Sequence, residues 1–379
     1  MRLAPESFDP SHTAVSPESA DLVLAFGSRE QIGDPDVFEA VRLRYPDARI
    51  VGASTGGEIH GAAVTDGELA VMAVTFERSG VDVVRTPVLP GQRATDAGRR
   101  LAAGVAPVDD RGRPLRHVVV LADGIHLNGS ELASGVEQAL PAGIRVSGAL
   151  AGDGDRFEET ALWADGVLPI PSALAVAFYG ETLRVGVGTG GGWDTFGVER
   201  RVTRSEGNVL AELDGRPALD LYTEYLGPYA KDLPASGLRF PLAVRVDGED
   251  HSLVRTLLGI DRDAGTMTFA GDVPEGTTAR LMRANPDHLV DGAHRAARRA
   301  AADLGTAPEL ALLVSCVGRR WTLGQRSEEE VEQAIDGLGG APAIGLYAYG
   351  ELAPAEGGTP CALHNQTMTI TAFSEAEPA

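Results

Sequence analysis

Short apolar runs rich in Val, Leu and Ile, bounded by Gly, Asp and Pro, recur along the whole chain. They alternate with longer stretches whose apolar residues fall at helical spacing. The runs at 22–26, 50–53, 69–76, 117–121, 173–179, 242–246, 279–282, 310–315, 343–348 and 368–373 predict β-strands. The stretches at 35–45, 95–103, 130–140, 217–226, 286–304 and 327–338 predict helices. Two of these carry good starts: Ser130 precedes Glu131, and Ser327 precedes Glu328, Glu329 and Glu330, placing acid where the helix dipole is positive. Such alternation predicts an α/β (mixed α+β) protein with mixed β-sheets flanked by helices. Residues 1–20 and 374–379 lack any period and are expected to be loose tails.

The pattern also repeats. A strand, a helix, a second strand, a glycine-rich turn and a third strand recur from LVLAF, from HVVVLAD and from LALLVSC. The spacing to the glycine of the second strand is 30 residues from Leu22 to Gly52 and from Val118 to Gly148, and 35 from Leu310 to Gly345. Each turn that follows carries an acid: Glu58, Asp153 and Glu351. Three β-α-β-β units would therefore present three related turns at strand ends, where α/β sheets place their ligand sites. The Gly/Pro-rich stretch 227–241 suggests a boundary, which gives an N-terminal domain at 21–226 and a C-terminal domain at 227–379.

Charge narrows the function. Fifty-four acidic against 33 basic residues leave a net of -21, which disfavours nucleic acid and anionic membrane surfaces as partners. No apolar run is long enough to span a bilayer and no secretory signal pattern opens the chain, so the cytoplasm is the expected location. Lys231 is the one lysine, which removes the P-loop. Two cysteines, Cys316 and Cys361, build neither a disulfide framework nor a four-thiolate metal site.

Two short motifs lack the context their chemistry needs. Gly186-Val-Gly188-Thr-Gly-Gly191 fits a dinucleotide fingerprint, but no helix follows it. Gly52-Ala-Ser54-Thr55-Gly56 fits a nucleophile elbow and again lacks its helix, so Ser54 and Thr55 stand as ligand-binding candidates rather than catalytic ones. The third unit is richest. Cys316 and Arg319 leave one strand, Glu351 another, and His364 with Asn365 opens the last. Arginine can clamp a carboxylate while glutamate meets an ammonium, which suits an amino-acid-like zwitterion. Of the adjacent Arg319 and Arg320, extended chain would point one into the pocket and the other to solvent, and Arg319 is expected inside. Cys316, His364 and Glu351 also fit a thiol enzyme as a further alternative.

At VGASTGGEI, SGALAGDGDRF, GNVLAELDGRPALDLYTEYLG, SCVGRR, YGELAP and LHNQTMT the chain resembles the FIST-domain proteins, an N-terminal FIST region followed by a C-terminal one, over about residues 21–373. It departs from the usual pattern at Ala53, where a cysteine is more common. The resemblance implies a small-ligand sensory module, not an enzyme, with amino acids as proposed ligands. The partners it implies are a sensor histidine kinase or a cyclic-dinucleotide enzyme. One branch of the family binds haem and senses nitric oxide. That alternative would require His60, His126 or His364 as the axial ligand; no other cofactor or metal is expected.

Overall fold

The computed structural model describes residues 1–8, 18–89, 91–245, 252–354 and 360–375. All six expected helices form, with bounds that shift by at most one residue, and every expected strand forms. Residue 246, at the end of one expected strand, and 376–379 of the expected C-terminal tail lie outside the described residues.

The three repeats fold alike. In each, a central strand pairs in parallel with the strand that follows its helix and antiparallel with the last strand of the unit. Leu22–Gly27 lies between Arg49–Ser54 and Leu69–Thr75. Leu115–Ala122 lies between Arg145–Leu150 and Ser172–Tyr179. Leu310–Cys316 lies between Ala343–Ala348 and Met368–Glu375. A further antiparallel strand flanks each unit's last strand: Arg2–Phe8, Gly80–Pro87 and Leu183–Gly190 respectively. The first of these corrects, over Arg2–Phe8, the expectation that 1–20 is a loose tail. Residues 374 and 375 of the expected C-terminal tail likewise belong to strand Met368–Glu375, held by pairing with Leu183 and Arg184.

The units also exchange strands in a cycle. Glu58–His60, from the first unit, pairs with Ala343–Ala348 of the third. Leu162–Ala164, from the second, pairs with Arg49–Ser54 of the first. Gly350–Pro354, from the third, pairs with Arg145–Leu150 of the second. No sheet is complete without its neighbour. Period-2 alternation then divides each central strand between two layers. Leu22, Leu24 and Phe26 join Val119, Leu121, Leu174 and Val176 and Leu312, Val314 and Leu346 in one core enclosed by all three sheets. The intervening residues face the outer helices, as Val23 and Ala25 do toward Phe38, Val41 and Tyr45.

Glycine permits two close approaches. Gly52, Gly148 and Gly345 stand in register opposite Ala25, Val120 and Leu313 of the parallel neighbour. A Cβ at these positions would lie 2.8, 1.9 and 2.1 Å from the carbonyl oxygens of those residues. The second approach explains the fingerprint-like glycines. Gly186, Gly188 and Gly190 line one face of their strand, and a Cβ on each would lie 2.1 Å from the carbonyl oxygen of Ala300, Ala296 and Gly292 in turn. Two strand residues rise about 6.8 Å and four helical residues about 6 Å, so the stripe matches the Ala-rich face of helix Pro286–Leu304 turn for turn.

Residues 193–284 form a separate antiparallel sheet with its own core around Leu210, Tyr222, Leu257, Met267 and Phe269. This module interrupts the third unit between strand Leu183–Gly190 and helix Pro286–Leu304. The spatial division is thus core and insert, and the expected boundary at 226/227 falls within the insert. A tight hydrogen-bonded register leaves no room at the repeat glycines. Gly345→Ala is expected to cost on the order of 3 kcal/mol in urea unfolding. Gly143→Ala, at a left-handed turn with open space around it, should cost only about 1 kcal/mol.

Candidate functional site

The three glycine-rich turns leave the same ends of their sheets and bond to one another. Gly56 N–H donates to Tyr347 O at 2.7 Å, Gly152 N–H to Ser54 O at 2.9 Å, and Tyr349 N–H to Leu150 O at 3.0 Å. Counted from the repeat glycine, each is a bond from the fourth residue onward in one unit to the second residue onward in another. Together they form a closed ring about a pseudo-threefold axis.

Over this ring lies a cleft of two adjoining cavities that share Asp155 and Trp321. The polar one, of about 390 Å³, is lined by Thr55, Gly57, Glu58, Asp66, Arg156 and Arg320 among others. The apolar one, of about 500 Å³, lies between Phe157 and Trp321 of the core and Pro234, Leu238, Leu257 and Leu258 of the insert. Phe157 stacks on Tyr349 with ring centroids 4.4 Å apart and meets Trp321 edge-on at 5.8 Å. Arg320 bridges both oxygens of Asp66 at 2.7 and 2.8 Å, donates to Gly56 O, and sits 5.3 Å from the Tyr347 ring centroid. Its Nε has no hydrogen-bond partner among the described residues, so donor capacity remains toward the cavity. Burial, then the nearby Asp66 carboxylate, pushes Glu58 up to about 7. Arg156 pairs with Glu30 at 2.6 Å and holds that carboxyl down at about 2.

The residues expected from sequence divide into three groups. Thr55 and Glu58 line the cleft, with Thr55 Oγ1 accepting from Gly57 N–H at 2.5 Å. Asp153 borders it, but its carboxylate is occupied by the backbone. Burial opposes its ionisation, yet the Tyr349 hydroxyl and the N–H groups of Phe157, Glu158 and Glu159 outweigh this and lower its pKa. Asp153 therefore shapes the turn that carries Phe157, whose φ is 52°. Ser54 is fully buried; its Oγ accepts from Ala161 N–H at 2.9 Å and does not reach the cleft.

The third group is the cluster from the third unit, which does assemble but is enclosed. Glu351 is fully buried and accepts from Thr367 N–H at 3.0 Å and Thr367 Oγ1 at 2.7 Å. Burial pushes it up to about 8. Burial and the neighbouring Glu351 carboxylate push the Cys316 thiol well above the ordinary thiol range, so it is no ready nucleophile. His364 Nε2 is 3.2 Å from Ala353 O, and Asn365 is wholly buried. The other two haem candidates lie apart from it: His126 Nδ1 is 2.8 Å from Asp123, and His60 lies on strand Glu58–His60. None of the three histidines lines either cavity of the cleft, and among the described residues no group of three or more His, Cys, Asp or Glu is placed to hold a metal.

The arginine assignment is reversed. Residues Val317–Leu323 form a short helix, so the two neighbours are separated by about 100° around an axis instead of alternating across a strand. Arg319 points inward, with no exposure. It meets Glu330 at 2.6 Å and donates to Gly191 O and Leu289 O at 2.8 Å and to Gln366 O at 3.2 Å. Gly191 and Leu289 flank the insert where the chain leaves and re-enters the core, so Arg319 ties both crossings together. Arg320, Asp66, Arg156, Phe157 and Trp321 were not selected from the sequence. A helical reading of VGRRWTL would have separated Arg319 from Trp321 by about 160° around the axis, with Arg320 between them.

Three exchanged β-α-β units, an inserted antiparallel module and a cleft between them define a mixed α/β protein with a recessed polar site. The chain belongs to the FIST family: residues 21–216 match the FIST N domain and residues 218–354 the FIST C domain. Domains of this family are generally sensory domains of signalling proteins. Relatives include an uncharacterized protein of Mycobacterium tuberculosis, 27% identical over 93% of this chain and 91% of its own length. An uncharacterized protein of Mycobacterium bovis is 26% identical over 94% and 91%. A crystal structure of chorismatase aligns over 98% of this chain and 97% of its own at 12% identity, with a TM-score of 0.38, too distant to bear on chemistry. No helix among the described residues is long and apolar enough to cross a membrane.

Two predictions test these placements. Arg319→Lys leaves a charge in a site built for a planar fork and is expected to cost about 3 kcal/mol, whereas Arg320→Lys, at a surface pair, should cost under about 1 kcal/mol. Urea midpoints of both variants decide this. Glu351 and Glu58 hold their protons more tightly folded than unfolded. Stability is therefore fully present below the ordinary carboxylate range and falls as pH rises from about 4.5 through about 7 for Glu58 and about 8 for Glu351. Glu351→Gln should flatten the upper part of that slope in midpoints measured across pH.

Proposed function

We propose that the protein is a non-enzymatic sensor that binds an amino-acid-like zwitterion in the cleft between core and insert. The observation that carries this is the pairing of Arg320, with donors left over, and Glu58, a buried carboxyl poised near neutrality, in one polar cavity that opens onto an apolar one. The ligand carboxylate takes the free edge of Arg320. Its ammonium meets Glu58 and favours the ionised carboxylate there. The side chain lies against Trp321, Phe157 and the insert leucines. Family membership supports a sensory role, and the proposed signalling partner is a histidine kinase or a cyclic-dinucleotide enzyme in the cytoplasm.

A route for the signal follows from the arginine pair. Arg320 meets the ligand, and its neighbour on the same helix turn, Arg319, holds both crossings of the insert. A ligand that closes the cleft draws on Leu257 and Leu258 directly and on the base of the insert through this helix. A thiol enzyme is the less favoured reading, because burial keeps Cys316 protonated.

Calorimetry with a panel of neutral amino acids tests the proposal. Binding is expected for members with apolar side chains, with proton release detectable as a dependence of the heat on buffer. Arg320→Ala and Glu58→Gln should each lower affinity by about tenfold or more. Uptake of a proton, or affinity unchanged in both variants, would overturn the assignment.

A further inference from the structure

Apart from the cleft, a cavity of about 570 Å³ lies between helix Gly129–Ala139 and strand Cys361–His364 of the core and strands Leu242–Arg245 and Leu253–Arg255 of the insert. Arg255 lines it while only 4% exposed. Its Nε donates to Asp272 O at 2.8 Å, and its Nη1 to Leu363 O at 2.9 Å and Val254 O at 3.2 Å. These partners are neutral carbonyls. Among the described residues no carboxylate lies within ion-pair distance of the guanidinium, and Nη2 has no hydrogen-bond partner. Burial draws the group down to about 10, partly offset by the more distant Asp272 carboxylate, which still leaves it charged at neutral pH.

A buried cation without an anion in contact is costly unless a ligand completes it. The site is also shaped around the side chain. A Cβ on Gly271 would lie 3.1 Å from both Cζ and Nε of Arg255. The remaining wall is largely apolar, with Val244, Leu253, Pro274 and Leu363. Ser130 Oγ and Ser134 Oγ each accept one bond, from Asp272 N–H at 3.4 Å and Gln138 Nε2 at 2.9 Å, and keep a proton to donate. Glu137 and Asp272 also border the cavity and would repel a second negative charge.

We propose that this cavity is a second small-molecule site, for a monocarboxylate with an aliphatic or aromatic body. The carboxylate meets the free Nη2 edge of Arg255 and the body lies against Val244, Leu253 and Leu363. The occupant bridges core and insert, as the zwitterion does, through different residues, so it bears on the same module.

Calorimetry on the full chain with hexanoate, benzoate, hexan-1-ol and inorganic phosphate tests this. At least one carboxylate is expected to bind, and neither the alcohol nor phosphate. Arg255→Met should weaken the carboxylate by about tenfold or more. Because that side chain is buried, Ser134→Trp at the exposed rim serves as a second variant; it should keep the melting temperature and weaken binding similarly. Failure of both carboxylates to bind, phosphate binding at least as tightly, or binding that neither variant weakens would each overturn the proposal.

Discussion

Three backbone hydrogen bonds, one from each glycine-rich turn to the next, close the ring on which the molecule depends. With bonds of 2.7, 2.9 and 3.0 Å, each turn satisfies a carbonyl of its neighbour at the point where three parallel strand pairs end. Those carbonyls face the interior and would otherwise be buried without partners. The cyclic exchange of strands follows the same rule: the chain beyond each turn continues into the adjacent sheet. The units therefore cannot fold separately, and one enclosed core replaces three small ones.

Symmetry of backbone does not extend to the side chains. Six residues after the repeat glycine stand Glu58, Gly154 and Glu351. Glu351 is sealed beneath Thr367 and Cys316 is sealed beside it, while Glu58, though buried, lines the polar cavity together with Arg320. The insert interrupts one unit alone, so it covers one part of the ring and leaves the pseudo-equivalent positions to serve structure. The adjacent arginines show the same economy: Arg319, with Glu330 as its buried counterion, carries the insert's two crossings, and Arg320 is left for the cleft.

Much of the architecture was legible along the chain. Apolar runs of period two, helical spacing and the 30-residue spacing from strand to glycine all reflect local constraints, and local constraints are written locally. The two serines expected to start helices do not cap them, since Asn128 caps the first and Ser327 lies inside the second with its Oγ on Gly324 O. Even the glycines at 52, 148 and 345 were visible as a repeat, since a carbonyl 1.9 to 2.8 Å away excludes any side chain. The departures came where local signals were ambiguous. The first strand, Arg2–Phe8, lies in a segment without period because its order comes from pairing with Leu69–Thr75.

The sequence by itself determined the layered α/β class, the threefold repetition, and that Thr55 and Glu58 belong to a glycine-rich turn at a strand end, which lines a cavity. Both Glu58 and Glu351 are buried, and only the tertiary structure decided which of them lines a cavity, because that depends on what packs above a turn. It also decided between Arg319 and Arg320: one short helix rotates them apart, and the two insert crossings supply carbonyls that claim the inner one. The cleft itself is walled by residues from 28 to 321 in the chain, and no periodicity encodes a surface made by segments so far apart.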